Sequence, residues 1–303
     1  MPVQAGALAW TSTVEWLIQI LNSVQYGLLL FLVASGLSLI FGIMGVINLA
    51  HGSFYMIGAY MAYALAPIVN ATFGGGFFAT LAVGLVLAVL LGYLLEWAFF
   101  SFLYEREHLQ QVLMTYGLIL VFEELRSLLV GDDVHNVAIP PILGASLPLT
   151  DTLAYPVYRL FISAVCLTLA GLMYVVLQRT RLGARIRASA SNPEMAQSLG
   201  LDIRWIHALV FAAGVALAAF AGMIAAPVSS VYPGMGNQVL IICFVVVVIG
   251  GIGSLKGALV AALLIGFVDT FGKVLFPEFA GVAVYLLMAV VLLFRPTGLF
   301  GRT

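Results

Sequence analysis

One glycine-rich stretch of this chain could bind phosphate groups, namely GGIGSLKG from Gly250 to Gly257. The loop G-x-x-x-x-G-K-[ST] that binds nucleotide phosphates needs glycine directly before its lysine, but Leu255 precedes Lys256 here. It also needs Ser or Thr after the lysine, where this chain has Gly257. The dinucleotide pattern G-x-G-x-x-G, started at Gly251, would need glycine at position 256 and fails too. The sequence therefore predicts no nucleotide site of either kind.

Ionisable side chains inside apolar segments could form a proton or ion relay, because they are costly to bury in a membrane. Glu123 and Arg126 are three residues apart, and Asp269 and Lys273 are four apart, so each couple can pair on one helix face. Glu96 falls at the end of its apolar run, where it can reach the membrane boundary. We interpret these groups as internally neutralised pairs and a boundary residue rather than as a relay.

The chain also has few residues that could bind a metal or act as a catalytic nucleophile. The histidines are scattered, at His51, His108, His135 and His207. No His-Glu-x-x-His pattern for zinc occurs, and no nucleophile is marked with its base and an orienting group. We therefore expect no catalytic residue, no metal ligand and no cofactor bound by this chain.

The most glycine-rich apolar stretch is GLSLIFGIMGVINLAHGSFYMIGAY, residues 36–60. Glycine at this density weakens a helix, and non-helical backbone at membrane depth is stable only inside protein or beside a water-filled cavity. We predict a broken or re-entrant helix near residues 42–53, lining a translocation path formed by Asn48, His51, Gly52 and Tyr55. On this reading, Leu in place of Gly52 blocks the path and leaves assembly intact. The alternative is close helix packing through small residues, with Asn48 and His51 bonding between helices, and both can hold together.

The longest basic loop is QRTRLGARIRASASNPEMAQSLGLDIRW, residues 178–205. Within it, Asn192 can cap a helix, Pro193 fits the first helical position, Glu194 favours the positive helix end, and Gly200 can end the helix. The apolar side chains of this short helix are Met195, Ala196 and Leu199. An amphipathic helix of this kind can dock in a groove on a partner protein. The alternative is a plain basic anchor that fixes membrane topology.

The composition shows which elements must position these residues. Of the 303 residues, 63% are apolar and 8% are charged, which excludes an ordinary soluble domain. Nine apolar runs fall at 14–34, 36–69, 77–96, 111–130, 157–177, 205–228, 238–253, 258–275 and 281–294. We predict an all-α polytopic membrane protein with eight to ten transmembrane helices, in one domain over residues 1–303, with residues 178–205 as a cytoplasmic loop.

The distribution of charge predicts the orientation of the chain, although its formal sum is only −1. The cations that share one side if the runs alternate are Arg106, Arg179, Arg181, Arg185, Arg187, Arg204, Lys256, Arg295 and Arg302. The other side receives Asp132, Asp133 and Asp151, with Arg159 and Lys273 as its cations. We therefore expect the N-terminus outside and the C-terminus in the cytoplasm. No Lys or Arg precedes the first run, so we expect that run to be a retained span and not a cleaved signal peptide.

Several stretches together resemble the permease subunits of bacterial ABC importers for branched-chain amino acids, and most nearly the LivH type. They are residues 36–60, TYGLIL at 115–120, RIRASASNPEMAQSLGLDI at 185–203, GGIGSLKGALVAALLIGF at 250–267 and FRPTGLFG at 294–301. The resemblance extends from about residue 14 to 302. It is specific for the family and less so for the solute, because related permeases are implied to carry urea, short amides or other small polar solutes.

The resemblance implies a set of partners in the bacterial inner membrane. These are a second homologous permease subunit, two cytoplasmic ATPase subunits that hold ATP and magnesium, a periplasmic substrate-binding protein and membrane lipid, with no nucleic acid. The implied ATPase-coupling residues are Arg187, Ser191, Asn192, Pro193, Glu194, Met195, Ala196, Leu199 and Gly200. Asn48, His51 and Gly52 match the broken-helix element of the family. YEREHLQQ, residues 104–111, is a shorter counterpart of the coupling loop, and its contact with an ATPase stays open.

Two other classes of function stay open at the level of the sequence. One is a permease for urea, short amides or another small polar solute, or an ATP-independent secondary transporter or channel. The other is an intramembrane enzyme. Dependence of transport on ATP separates an importer subunit from a self-sufficient transporter, and product formation would reveal an enzyme.

Overall fold

The computed structural model describes residues 2–104, 106–150 and 153–301, and within these ranges all side chains except those of residues 2–13 and 73. Helices dominate these ranges. In chain order they are α1 (Pro2–Met44), α2 (His51–Phe73), α3 (Gly76–Ala98), α4 (His108–Val130), α5 (Val157–Arg179), α6 (Arg181–Ser191), α7 (Pro193–Ser198), α8 (Ile203–Ala225), α9 (Met235–Gly250), α10 (Leu255–Leu275) and α11 (Ala280–Phe294). Short 3₁₀ turns lie at Phe100–Phe102 and Pro141–Leu143. The strands β1 (Ser146–Pro148) and β2 (Ala154–Pro156) pair antiparallel, with Leu147 opposite Tyr155.

The predicted polytopic all-α architecture is confirmed. Among the described residues, six helices are long and apolar enough to cross a membrane, namely α1 from Val14, α2 to Thr72, α3 with its 3₁₀ extension, α5, α8 and α10. The shorter apolar helices α9 and α11 occupy two more of the predicted runs. The ninth run corresponds to α4, which has 23 residues and is less apolar because it carries the Glu123–Arg126 region.

The predicted boundary between the first two apolar runs, near residue 35, is wrong, whereas the predicted break near residues 42–53 is confirmed. Helix α1 continues through Gly36 to Met44, and α2 begins only at His51. Gly36 serves packing, since a Cβ atom there would lie 2.6 Å from the carbonyl oxygen of Gly214 in α8. The residue that adopts a left-handed conformation is Gly45, with φ of +67°.

Helix α8 lies at the centre of the bundle and packs against α1, α2 and α3. Its most apolar window is 78% buried, compared with 17% for that of α5. Backbones approach closely at small residues, because a Cβ atom at Gly58 would collide with Ala219, and one at Gly222 with the carbonyl of Tyr55. Such contacts are the usual means of helix association in membranes, where burial of apolar surface from water contributes little.

Helices α1 and α10 form another close contact between small residues. A Cβ atom at Gly27 would lie 2.9 Å from the carbonyl oxygen of Ala262, and one at Gly266 would collide with the carbonyl of Ser23. The two helices therefore pack backbone to backbone over several turns, although more than 200 residues of sequence separate them.

One end of the bundle collects the α6–α7 segment, the α9–α10 turn and the last described residues. Leu299 donates its backbone N–H to the carbonyl of Ile249 at 2.8 Å, and Phe300 donates to Gly250 at 3.1 Å. At the other end, His135 in the α4–α5 connection pairs with Val231 in the α8–α9 connection. The predicted sides of Asp151 and Arg302 concern residues outside the described ranges, as does the position of Glu105 in the 104–111 stretch.

Candidate functional site

The break between α1 and α2 is a six-residue segment, residues 45–50, most of which is enclosed by protein. Asn48 is 0% exposed, and its Oδ1 accepts a hydrogen bond from the backbone N–H of Ala50 at 3.0 Å. Val46 and Ala50 are also buried. Non-helical backbone at membrane depth requires this kind of enclosure, because lipid offers its polar groups no partners.

His51, the first residue of α2, lies deep in the bundle. Its Nε2 donates a hydrogen bond to the carbonyl oxygen of Val33 in α1 at 2.9 Å, and since a carbonyl oxygen only accepts, Nε2 carries the hydrogen. Val33 lies eleven residues before the end of α1 at Met44, a distance of about 16 Å along a helix. The chain thus leaves α1, turns back into the bundle and starts α2 in its interior, and we name residues 45–55 the re-entrant element.

Two polar atoms of this element are buried without a hydrogen-bond partner, Nδ2 of Asn48 and Nδ1 of His51. Burial of an unpaired polar group is unfavourable, and such groups are uncommon in folded proteins. With the hydrogen on Nε2, His51 offers a free acceptor and Asn48 offers a free donor. The element can therefore present one donor and one acceptor to a small polar group.

Gly52 and Gly36 bring the neighbouring backbones together at the same depth. A Cβ atom at Gly52 would collide with the carbonyl oxygen of Gly236 in α9 and lie 2.7 Å from Cβ of Leu240. A Cβ atom at Gly36 would lie 3.0 Å from Cε1 of His51. This geometry supports the packing interpretation at Gly52. It also corrects the expectation that Leu at this position leaves assembly intact, while a role in the path stays a prediction.

Tyr55 lies one turn further along α2 and is 6% exposed. Its side chain lies near Ser229 in the α8–α9 connection. Nearby in that connection, the hydroxyl of Tyr232 donates to Oε1 of Gln238 at 2.7 Å. Tyr55 therefore points away from the α6–α7 end, towards the opposite end of the bundle, and Asn48, His51, Gly52 and Tyr55 follow one another along the re-entrant element.

The α6–α7 segment is shaped by successive helix caps. Thr180 Oγ1 accepts from the N–H of Gly183 at 3.1 Å, and Asn192 Oδ1 accepts from the N–H of Met195 at 2.9 Å. Gly200, with φ of +85°, follows α7, and Asp202 then caps α8. The capping role predicted for Asn192 and the end predicted at Gly200 agree with this geometry. Each helix of the segment thus begins and ends at a defined residue.

The residues predicted for ATPase coupling are exposed except for one. Ala196 is 3% exposed and packs inward, whereas Met195 is 62% and Leu199 is 79% exposed. The exposed remainder comprises Arg187, Ser191, Asn192, Pro193, Glu194 and Gly200. The predicted apolar stripe is therefore divided, with Ala196 anchoring the helix and the two large side chains facing outward. Apolar side chains presented in this way can fit a groove on another protein.

Gln111, in the first turn of α4, connects the loop that precedes α4 to the re-entrant element, and sequence reasoning missed it. Its Oε1 accepts from the N–H of Ile47 at 3.3 Å, and its Nε2 donates to the carbonyls of Leu103 and Arg106 at 3.1 Å each. Gln111 is 3% exposed. The signal in the sequence was a glutamine at the first buried position of a helix after a polar loop, and its long-range partner at Ile47 is not visible from local pattern.

Tyr104 also fixes the loop that precedes α4. Its hydroxyl donates to Oε1 of Glu96 at 2.5 Å. Burial raises the pKa of the Tyr104 hydroxyl well above its ordinary value, and the hydrogen bond to Glu96 raises it further. Glu96, predicted to be a boundary residue, is thus 6% exposed and bonded within the protein rather than facing the membrane surface.

The two predicted ion pairs are confirmed. Arg126 Nε lies 3.2 Å from Glu123 Oε2, and Arg126 Nη2 lies 2.8 Å from Asp132 Oδ1, a further partner that spacing did not indicate. The hydrogen bond from Arg126 lowers the pKa of the Asp132 carboxyl. Lys273 Nζ lies 2.6 Å from Asp269 Oδ2. These groups neutralise one another, as the interpretation against a relay requires.

Comparison with known proteins assigns the chain to a family. The chain matches, over residues 19–294, the family described as branched-chain amino acid transport system / permease component. It is 31% identical to the high-affinity branched-chain amino acid transport system permease protein BraD of Pseudomonas aeruginosa, over 95% of this chain and 96% of that protein. It is 29% identical to the permease protein LivH of Escherichia coli strain K12, over 94% and 95% of the two chains.

Two further likenesses are more distant. The permease protein LivM of Escherichia coli strain K12 is 27% identical over 88% of this chain and 67% of its own length. Among solved structures, PsaBC from Streptococcus pneumoniae in complex with Fab has a TM-score of 0.48 and 13% identity, over 90% of this chain and 89% of that one. The family match over most of the chain and the identity to BraD show that this chain belongs to the family of permease components of branched-chain amino acid transport systems.

Proposed function

We propose that this chain is a transmembrane permease subunit of an ATP-driven importer in the bacterial inner membrane. The proposed solutes are branched-chain or related hydrophobic amino acids, delivered by a periplasmic binding protein. The branched-chain amino acid transport systems to which BraD and LivH belong support this assignment. The structural observation that carries it is the short capped helix α7, where Met195 in the helix and Leu199 directly after it face outward at one end of the bundle.

The proposed complex contains a second permease and two cytoplasmic ATPases. Similarity to both LivH and LivM supports a pair of related permease chains. ATP and magnesium would be held by the ATPases, since the GGIGSLKG stretch of this chain fits neither nucleotide-binding pattern. In this arrangement the chain supplies the path and the docking helix, and its partners supply the energy.

The packing supports a route by which motion of α7 reaches the path. Leu201 donates its N–H to the carbonyl of Ala196 at 3.1 Å, and Asp202 caps α8, so a displacement of α7 acts directly on the start of α8. Helix α8 meets α2 at the Gly58–Ala219 and Gly222–Tyr55 contacts. Closure of the partner ATPases would thus rock α8 and α2 together around the re-entrant element, which is alternating access by rigid bodies.

The chemistry of the re-entrant element suits weak binding of a zwitterionic solute. The free donor of Asn48 and the free acceptor of His51 can contact its charged groups, and the surrounding apolar side chains tolerate an aliphatic side chain. A path must bind its solute weakly enough to release it. Selective recognition is therefore proposed for the binding protein.

The proposed orientation places the α6–α7 end in the cytoplasm. The arginines of this segment and Lys256 at the neighbouring turn support it through the positive-inside rule. The N-terminus is then periplasmic and the C-terminus cytoplasmic. A reporter enzyme fused after Thr303, which lies outside the described residues, is expected to be active only in the cytoplasm. Activity in the periplasm would contradict this orientation.

The test of the proposed function is gentle purification of the tagged chain from its native membrane, followed by mass spectrometry of the proteins that accompany it. We expect two ATPase chains and a second permease, and ATP-dependent uptake of leucine by the complex in vesicles that contain the binding protein. A chain that is isolated alone and transports without ATP would instead favour a secondary transporter or channel. ATP-dependent uptake of urea or a short amide, without leucine uptake, would favour the alternative solutes.

The docking helix is tested separately with Leu199→Asp, which puts a charge on the exposed leucine directly after α7. We expect loss of the ATPases from the purified complex with unchanged membrane insertion. The matched control is Leu147→Asp, which changes an exposed leucine of β1 in the α4–α5 connection, at the opposite end of the bundle. Equal loss of the ATPases from both variants would show a general effect on folding and would contradict the assignment to α7.

A further inference from the structure

Two cavities meet beside the α6 helix, and they differ in character. The first, which we name the apolar groove, has a volume of about 360 Å³ and lies between α3, α5 and α8, with apolar side chains such as Val89, Leu172 and Phe220. The second, which we name the basic cleft, has a volume of about 670 Å³ and lies between α1, α6, the α9–α10 turn and residues 296–301. The residues that line both cavities are Leu39, Leu177 and Ile186.

The basic cleft carries positive charge without a compensating carboxylate. Arg187 of α6 and Lys256 of α10 both line it, and in the described part of the chain no Asp or Glu does so. Helix α10 also begins here, with Ser254 as its cap, so the positive end of that helix faces the same space. An occupant of this cleft is therefore expected to be an anion.

Ser38 of α1 gives an independent indication that the cleft is polar and lacks a partner. It lines the cleft and is 1% exposed, and its hydroxyl has no hydrogen-bond partner. A buried hydroxyl is normally paired, because leaving it unpaired is unfavourable. Ser191 and Thr297 add two further hydroxyl groups to the lining. A ligand with several acceptor oxygens would satisfy these donors.

The apolar groove opens on the outer surface of helices that are apolar enough to cross a membrane. Leu85, Val89 and Leu172 line it and are partly exposed, at 38%, 42% and 57%. An aliphatic chain from the bilayer can enter from this side. Because the groove adjoins the basic cleft at three shared residues, one molecule with an anionic head and an aliphatic tail can contact both.

We propose that the basic cleft and the apolar groove together bind an anionic phospholipid from the membrane leaflet nearest the α6–α7 segment. Its phosphate lies between Arg187 and Lys256, and one acyl chain lies in the groove. Basic pockets between transmembrane helices are a known form of binding site for anionic lipid headgroups. The lipid would join α6 to the α9–α10 turn and so hold the segment that precedes α7.

The test identifies the phospholipids that stay bound to the full complex after it is solubilised in detergent. They are extracted from the purified complex and measured by mass spectrometry. The double variant Arg187→Gln, Lys256→Gln removes both cleft charges. We expect affinity for phosphatidylglycerol, measured in nanodiscs of graded composition, to fall about 30-fold, which is the effect of two charges at the strength usual for basic residues at anionic membranes. The affinity for zwitterionic lipid is expected to stay unchanged. Anionic lipid retained at the wild-type level would overturn the proposal.

A matched control is Arg185→Gln, which removes another exposed arginine of α6 that does not line the cleft. We expect it to keep the wild-type affinity. Equal losses in the control and the double variant would indicate a general attraction of α6 to anionic membranes, and the proposed site would be wrong. Elution volume and thermal unfolding of each variant establish that the complex is folded.

A third variant separates a lipid from a free anion. Leu172→Trp fills the apolar groove and leaves the charges of the cleft in place, and we expect it to displace the phospholipid. Inorganic phosphate is expected to compete poorly, because it lacks the acyl chain. If phosphate displaced the lipid at millimolar concentration and Leu172→Trp had no effect, the cleft would be a site for a free anion and the lipid proposal would fail.

Discussion

Asn48 and Asn192 do similar chemistry in two different regions of the molecule. Asn48 accepts the backbone N–H of Ala50, the residue before α2, at 3.0 Å, and Asn192 accepts that of Met195 in the first turn of α7 at 2.9 Å. Asn48 is completely buried in the re-entrant element, whereas Asn192 is exposed in the α6–α7 segment. The same local device therefore serves a fixed interior element in one region and a surface available to partners in the other.

Burial or exposure decides whether a similar sequence pattern contributes to folding or to the binding of partners. In the re-entrant element, a change at the buried residues Asn48, His51 or Gly52 meets backbone or a buried side chain, so such substitutions are expected to affect folding first. In the α6–α7 segment, side chains can change without disturbing the bundle, so substitutions are expected to affect partner binding first. Substitutions in the two regions test this difference.

The largest effect is expected for Gly52→Leu. The new side chain collides with the carbonyl of Gly236, and overpacking of this kind destabilises by about 1 to 3 kcal/mol or more. We expect loss of monodisperse protein after detergent extraction. The matched control is Gly171→Leu, since no atom lies near a Cβ atom built at Gly171. A well-folded Gly52→Leu variant would contradict the expectation that substitutions in the re-entrant element affect folding first.

A smaller loss is expected for His51→Ala, which removes the hydrogen bond to Val33 and leaves its buried surroundings unfilled. Loss of such a buried interaction costs about 1 to 3 kcal/mol. Thermal unfolding in detergent measures it. The control is His51→Gln, whose amide nitrogen can replace Nε2 as donor to Val33. If His51→Gln is stable but transports poorly, the free Nδ1 acceptor has a role in the path; normal transport would argue for packing alone.

Asn192→Ala tests the exposed cap. Loss of a helix cap costs about 1 kcal/mol, and here the cost falls on α7 alone. We expect normal insertion, faster hydrogen exchange in α7 and weaker ATP-dependent uptake. Asn192→Asp keeps a capping oxygen and is expected to retain uptake. Global unfolding of the alanine variant would contradict the separation of this segment from the bundle.

Glu194→Lys is expected to change stability less still, by about 0.3 to 1 kcal/mol, because a positive charge in the first turn opposes the helix dipole. Its effect on binding of the ATPases is expected to be large, because the side chain is exposed beside Met195. Co-purification of the ATPases and uptake measure this, with Glu194→Gln as the milder control. Normal uptake by the lysine variant would contradict the coupling assignment.

The smallest effect is expected in a third region, at the pair formed by the largely buried Arg126 and the exposed Asp132. The bond from Arg126 holds the pKa of Asp132 below its ordinary value of 3.8. Its contribution is therefore complete above that ordinary value and is lost as pH falls through the lowered pKa. Unfolding measured from about pH 7 to about pH 3 should show an acid-dependent loss in the wild type that is reduced in Asp132→Asn and kept in Asp133→Asn. Equal curves for all three would show that the pair contributes nothing.

The sequence predicted the elements well where the signal is local. Length and hydropathy indicate the helices, and Asn192, Pro193 and Gly200 indicate the bounds of α7 because caps and turns depend on a few neighbouring residues. The density of glycine indicated the break before His51. These features require no knowledge of which helices are neighbours.

The rest depends on contacts between residues distant in sequence. Gly36 suggested a break, but its partner Gly214 in α8 makes it a packing position inside a continuous helix. Gln111 was missed because its partner Ile47 lies 64 residues away. The burial of Asn48 and His51 likewise follows from the assembled bundle. A glycine or a polar residue in an apolar run has the same local appearance whether it turns the chain, packs a helix or lines a path.

The close contact of α1 with α10 has a consequence for synthesis. The contact of Gly27 with Ala262 can form only after the ribosome has added 235 more residues. Their synthesis takes roughly 10 to 50 s at ordinary rates of translation. During that interval the small-residue face of α1 lies against lipid or the insertion machinery. The final bundle can therefore close only late in insertion, and a membrane chaperone or the second permease has time to contact α1 first.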